Sequence, residues 1–491
     1  MKIRLWLSLV IMFLVLTACA PVAAIPTEIQ PTSTEMPAEA TKTLTPTETP
    51  TEIPTSTPTS IPTLEGLLIP VPDPRITNPD FFDVSNANSP IVQFAEAFAI
   101  KPEDVTVGLD FEVKQDIHGN DFVVIRTPDG VALMMATQGE NGEWVWQAAT
   151  PGNYWGILGK HIGASINGYE WGLSNNKSLF IQHFSHGGIL GLLGQVRPGP
   201  DIDERRPARA TVYLRAAKQA DMAFMFTYVV EPGKFPKNTT AENINQWLNR
   251  RLSEISDVIT QNKPNRMVYL QFNEATNERG GWNGENNPLR NKYGNQWLGE
   301  YLYQALLIPI QHGLIPNKDY ILLVNENSMF STITQQFIHA KLKEARAYAF
   351  QKLMSDPVTT VKLSEMDIMR AEDIQIVLGT ETYVNLDHRP RVINFITDPT
   401  AEQIDALANL FGDLGGIIMT EVSPHGTVEQ KKEFFLKITD AMKNNPNIHG
   451  ILLWNIFENP EDASDNFFQS PTLLFDSQGN PTELYYALLR H

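Results

Sequence analysis

Pro316-Asn317-Lys318-Asp319-Tyr320-Ile321-Leu322-Leu323-Val324-Asn325-Glu326-Asn327 joins a turn signal, an unbroken apolar run and an abrupt polar end. A short apolar run without alternation is a strand buried on both faces, as in a parallel sheet covered by helices. The same unit recurs on both sides of it. Candidate strands are Ile162–Ile166, Met222–Val230, Met267–Phe272, Tyr320–Val324, Ile374–Leu378, Gly416–Thr420 and Gly450–Trp454, with a weakly marked one near Phe184–Leu190. Amphipathic stretches of roughly ten to twenty residues separate them. Pro264-Asn265 and Pro446-Asn447 precede strands as Pro316-Asn317 does, and Thr239-x-x-Glu242, Thr400-x-x-Gln403 and Thr427-x-x-Gln430 read as capping boxes opening helices. Eight such units over residues 155–491 predict an α/β fold, a (β/α)8 TIM barrel, with functional residues just past the C-terminal ends of the strands. The rival is a doubly wound open sheet, but no Gly-rich phosphate loop follows any candidate strand.

The chain has 491 residues, 42% hydrophobic and 19% charged, which gives room for more than one core and excludes wholesale disorder. With 38 Lys and Arg against 56 Asp and Glu, the net charge of −18 disfavours a nucleic-acid partner bound through phosphates. A single cysteine, Cys19, excludes a disulfide framework and multi-cysteine metal or redox sites. His183 and His186 have metal-like spacing but no third ligand in view, so no metal is expected.

Before the barrel the chain changes character three times. Residues 1–18 combine a basic start (Lys2, Arg4) with an apolar run too short to span a bilayer, an export signal. Its end, Leu16-Thr17-Ala18-Cys19, resembles the bacterial lipoprotein processing box, which implies cleavage before Cys19, lipidation of its sulfur and an extracytoplasmic, membrane-anchored or cell-surface protein. Residues 19–63 are a Pro/Thr-rich segment that cannot build a core and is expected to be a disordered linker. Residues 64–150 read as a small β-rich module of unknown role, with strands at Val105–Val113, Asp121–Thr127, Val131–Thr137 and Glu143–Gln147 and a short helix at Ser89–Phe98. Trp144 and Trp146 share one face there, as core or as a sugar platform.

The strand ends carry the chemistry: Asn273-Glu274, Asn325-Glu326-Asn327, Glu421 and Trp454-Asn455 each follow or close an apolar run. Two carboxylates on different strands, converging on one barrel mouth among amides and an indole, are what glycosidic bond cleavage requires. Met267 to Ala275, "MVYLQFNEA", is similar to the acid/base segment of glycoside hydrolase family 10, the xylanase family, and Leu414 to Val422, "LGGIIMTEV", resembles its nucleophile strand. Ile162 to Ser165, Pro288 to Ala305, Asn325 to Asn327 and Leu473 to Tyr486 resemble further segments in the family's order, so the likeness spans about Gly156 to Leu489. It implies a retaining hydrolase of internal β-1,4 bonds in a polysaccharide such as xylan. Glu274 would be the acid/base, Glu421 the nucleophile, Asn273 a ligand of the sugar 2-hydroxyl and Trp454 the floor of the subsite where the bond breaks. No cofactor is implied.

The departures from the family surround the substrate. Where the family's third strand ends in Trp-His, this chain has Tyr228-Val229-Val230-Glu231-Pro232, and where its sixth strand delivers Gln and His, Gly379-Thr380-Glu381-Thr382 stands here. Glu231 and Glu381 are therefore replacements in an altered sugar subsite or loop carboxylates of no consequence. Asn325 is a further candidate substrate ligand, and Trp282, in the Gly-rich Arg279 to Glu285 loop, is a candidate outer platform, whereas Trp297 fits the core. A binding protein that has lost turnover, and a barrel hydrolase for a different glycan, remain the rival readings.

Overall fold

The computed structural model describes residues 70–71, 85, 110–126, 129–138, 144–167, 171–172, 174–193, 207–232, 235–273, 287–326, 329, 332–381, 399–422, 424, 427–454, 456–457, 474–476 and 478–490. The signal, the linker and the Ser89–Phe98 helix lie outside them. Short runs broken by turns give five strands, β1 (Pro70–Val71), β2 (Asp110–Gln115), β3 (Asp121–Arg126), β4 (Ala132–Gln138) and β5 (Trp144–Ala148), in one antiparallel sheet of order β1-β5-β4-β3-β2. The tight β2–β3 hairpin is built by Asp116. Its Oδ1 accepts from the backbone N–H of His118 and of Asn120, both at 2.8 Å, and Gly119 takes the left-handed φ of 83° that the turn requires.

The unbroken apolar runs become β6 (His161–Asn167), β7 (Ile189–Leu193), β8 (Ala223–Val230), β9 (Val268–Asn273), β10 (Tyr320–Glu326), β11 (Ile376–Glu381), β12 (Ile417–Val422) and β13 (Ile448–Trp454). All eight pair in parallel and close on themselves, β13 meeting β6 through Gly450 opposite His161, so the chain forms the expected (β/α)8 barrel. Alternate side chains fill its interior: Ile189, Met225, Tyr269, Ile321, Leu323, Val377, Ile418 and Leu452 form one dry cluster. The other face of each strand packs on helices, as where Phe272 meets Tyr301 of the Trp297–Gln311 helix at 4.4 Å between ring centroids. Both faces are thus apolar, the physical reason these strands lack alternation.

Two of the three expected capping boxes form. Thr400 and Thr427 each accept from the N–H three residues on, of Gln403 and Gln430, whose side chains bond back. Thr239 does not open a helix. The Ile244–Asn262 helix starts later, because the Asn243 side chain accepts from Thr240 N–H and donates to the Asn238 carbonyl, which ties 238–243 into a turn. The weakly marked strand lies C-terminal to its expected place, since the Ser174–Phe184 helix occupies the chain up to Phe184.

The small sheet and the barrel share one continuous core. Ala132 N–H donates to the Leu489 carbonyl at 2.8 Å, Arg126 Nη2 to the Tyr154 hydroxyl at 2.6 Å and Trp155 Nε1 to the Leu488 carbonyl at 2.7 Å. The Pro151–Ile157 helix passes beneath the N-terminal ends of β6 and β7, so close that a Cβ on Gly152 would lie 2.4 Å from Phe184 backbone. The opposite, C-terminal end of the barrel carries the site.

Three histidines, His183 buried and His161 and His449 half-buried, make this core acid-sensitive. His161 Nδ1 lies 2.7 Å from the Gly187 carbonyl, His183 Nδ1 2.8 Å from the Tyr485 hydroxyl and His449 Nε2 2.5 Å from the Gly415 carbonyl. Burial lowers all three, His161 to about 4 and His183 to about 3. The unfolded imidazoles take a proton near pH 6.5 and folded His161 and His183 only well below it, so stability is whole above pH 6.5 and falls on acidification, by roughly 1 kcal/mol per pH unit for each of those two, with His449 acting in the same direction. The Tm is expected to drop steadily from pH 6.5 to 4.5, with a shallower slope in His183→Gln; a flat Tm over that range would contradict this.

Candidate active site

Parallel closure brings all eight strand C-termini to one rim. Around it stand Glu231 just past β8, Asn273 at the end of β9, Asn325-Glu326 ending β10, Glu381 ending β11, Glu421-Val422 ending β12 and Trp454 ending β13. For Glu381, Glu421 and Trp454 the structure describes the backbone. Glu274 follows Asn273 directly in the chain but lies, with Trp282 and Cys19, outside the described residues.

Because Phe272 faces the helices, Tyr269, Gln271 and Asn273 face inward, by the two-residue period of a strand. Above the apolar layer of Tyr269 the interior turns polar. Gln271 Nε2 donates to Asn273 Oδ1 at 2.9 Å, Asn325 Nδ2 donates to the same oxygen at 2.8 Å, and the Thr420 hydroxyl donates to Asn325 Oδ1. All four side chains are buried. β10 and β12 are not neighbours; β11 runs between them, and Asn325 reaches Thr420 across Gly379, its register partner on β11. A Cβ on Gly379 would lie 2.5 Å from Asn325 Oδ1, so the absence of a side chain there is what opens the path. Asn273 Nδ2 and Gln271 Oε1 are buried with no hydrogen-bond partner among the described residues. An unsatisfied buried amide costs about 1–3 kcal/mol, a cost that a bond from water or from a ligand removes.

Two strands are irregular at this rim. On β8, Phe226 pairs with Leu270 and Val230 with Phe272, so four residues span the space of two; Tyr228, inside the bulge, takes a left-handed φ of 56°. The buried Arg251 of the Ile244–Asn262 helix braces it, Nε donating to the Val229 carbonyl at 2.6 Å. The bulge delivers Glu231, 3% exposed, to the rim. On β12, Met419 pairs with Ile451 and Val422 with Leu453, which inserts one residue at Thr420-Glu421. Bulges of this kind re-aim the side chains that follow them at the end of a strand.

No family model matches the chain, and no curated protein sequence matches it. Among solved structures it is similar to xylanases. Xylanase 10B of Thermotoga maritima is 19% identical with a TM-score of 0.47, over 67% of this chain and 94% of that one. Xylanase 10B of Thermotoga petrophila RKU-1, solved with xylobiose, is 17% identical with a TM-score of 0.48, over 70% and 96%. An endo-1,4-beta-xylanase from Caldicellulosiruptor owensensis is 14% identical with a TM-score of 0.49, over 70% and 100%. The barrel of this chain is established by its own closed strand order.

Gln271, Thr420 and Gly379 are site residues that sequence reasoning missed. Their signal was present: a glutamine inside an apolar run, two residues before Asn273, shares its face, and a glycine near the end of a buried strand marks close approach. The other singled-out residues fall elsewhere. His183 is bonded to Tyr485 and packed on Phe475, away from the rim, and Trp297 is core, at 5.7 Å from Phe272. Trp144 and Trp146 lie on β5, and their side chains are outside the description.

Proposed function

We propose that this chain is a retaining glycoside hydrolase that cleaves internal β-1,4 bonds of xylan or a related polysaccharide. The observation that carries the reading is the buried Asn273 carboxamide. It is held through its oxygen by Gln271 and Asn325 at the end of β9, with its Nδ2 unpartnered among the described residues at a barrel mouth and Glu274 next in the chain. Such a donor suits a sugar hydroxyl. Glu421, on the bulged end of β12, would attack the anomeric carbon while Glu274 protonates the leaving oxygen; Glu274 would then deprotonate the water that releases the glycosyl-enzyme. That mechanism asks for carboxyl groups about 5–5.5 Å apart.

Trp454 at the end of β13 would lie under the sugar, with Trp282 further out. Glu231 and Glu381 would replace the usual contacts of neighbouring subsites, and a carboxylate in place of an aromatic or imidazole shifts preference toward glycans that offer hydroxyls at those points. In the same reading, Cys19 carries a lipid anchor at the outer face of a bacterial membrane and residues 19–63 supply reach.

The experiment is reducing-sugar release from a panel of xylans, β-glucans and other plant and microbial polysaccharides by the purified chain. Release from xylan with oligomeric products supports the reading, and release from another glycan alone renames the substrate. Binding without release on every glycan would make the barrel a carbohydrate-binding protein.

A further inference from the structure

We propose that Gln271 is a positioning residue, the inner end of a polarised hydrogen-bond relay, Thr420 to Asn325 to Asn273 with Gln271 closing it, that makes Asn273 an obligate donor at the mouth. The proposal rests on the hydrolase reading for its kinetic consequences and on the geometry alone for the relay. A carboxamide oxygen has two lone pairs, and both on Asn273 are taken, by Gln271 Nε2 at 2.9 Å and Asn325 Nδ2 at 2.8 Å. The Thr420 hydroxyl donates to Asn325 Oδ1, the arrangement in which Asn325 Nδ2 faces Asn273. Each member orients the next, and Asn273 is left with its Nδ2 amino group without a partner among the described residues. Buried side-chain networks of this kind act as a unit. The relay runs over three strands, β9, β10 and β12, and passes β11 at Gly379, where a methyl group would obstruct it.

The consequence is specificity at the sugar atom next to the reacting carbon. A fixed N–H donor donates to a hydroxyl oxygen there and finds no acceptor on an ammonium, so a hydroxyl sugar is preferred to a cationic amino sugar.

Gln271→Glu reverses the inner end, because an ionised carboxylate can only accept. At neutral pH it is expected to lower kcat about 10- to 100-fold with little change in KM, and kcat recovers as pH falls and the introduced carboxyl gains a proton to donate. Gln271→Met, which removes the bond without reversing it, loses less and has an unshifted pH profile. Thr420→Val does not touch Gln271, yet its effect on the urea midpoint is expected to be non-additive with that of Gln271→Met, a coupling that independent packing defects lack. Full activity in Gln271→Glu, or strict additivity in the cycle, overturns the relay. If no glycan is hydrolysed but the urea cycle still shows coupling, the relay stands and the hydrolase reading falls.

Discussion

Glu421→Ala is expected to lower hydrolysis by roughly 10⁴-fold or more, and added azide to restore turnover of an aryl glycoside with formation of the α-glycosyl azide. The small anion would occupy the space of the missing carboxylate and attack the anomeric carbon once, inverting it. Glu274→Ala is expected to behave differently. Loss of general acid catalysis costs about 10²–10⁴ on a polysaccharide, whose leaving hydroxyl needs a proton, and far less on an aryl glycoside with a good leaving group. The glycosyl-enzyme on Glu421 then accumulates, and azide releases it as the β-glycosyl azide, with configuration retained. Product configuration by NMR, with burst kinetics, separates the two roles. The same anomer from both variants, or unchanged xylan hydrolysis in either, would remove the assignment of the pair.

Gly163→Ala is expected to prevent folding or to cost more than about 4 kcal/mol, the largest stability effect in the barrel. A Cβ there would stand 1.7 Å from the Ile189 carbonyl oxygen and 2.7 Å from its carbon. Those atoms are backbone of β7, and β6 cannot withdraw from them, because β13 holds its other edge through the Leu452–Gly163 register. Closure of the sheet removes the freedom that an open edge would have. Gly172→Ala is the control: among the described residues nothing lies within 4 Å of its Cβ position, and alanine there is expected to be neutral or stabilising by about 0.4–1 kcal/mol. Urea unfolding followed by circular dichroism measures both, and a Gly163→Ala protein as stable as its parent would show that β6 and β7 do not approach as described.

Much of the fold was legible in the chain because it depends on local pattern. The apolar runs announce seven barrel strands to within a few residues, and the boxes at Thr400 and Thr427 form with both reciprocal bonds. Where the reading missed, tertiary context was the cause. Asn243 outcompetes Thr239 for the helix start, and β8 carries a bulge with Tyr228 in the left-handed region, which no propensity of a tyrosine announces. The rim positions of Asn273, Asn325 and Glu231 followed from the strand ends, but the partners of Asn273 did not.

By itself the sequence determined the eightfold strand-and-helix alternation and the polar residues that end each run. Those features are set by burial on both faces and by turn chemistry within a few residues. Only the tertiary structure decided that Gln271 and Thr420, 149 positions apart, belong to one relay, and that Gly379 leaves the gap through which it passes. The physical reason is closure: residues from β9, β10 and β12 become neighbours when the sheet curls into a barrel, and the inward or outward sense of each side chain is settled by which face the helices cover.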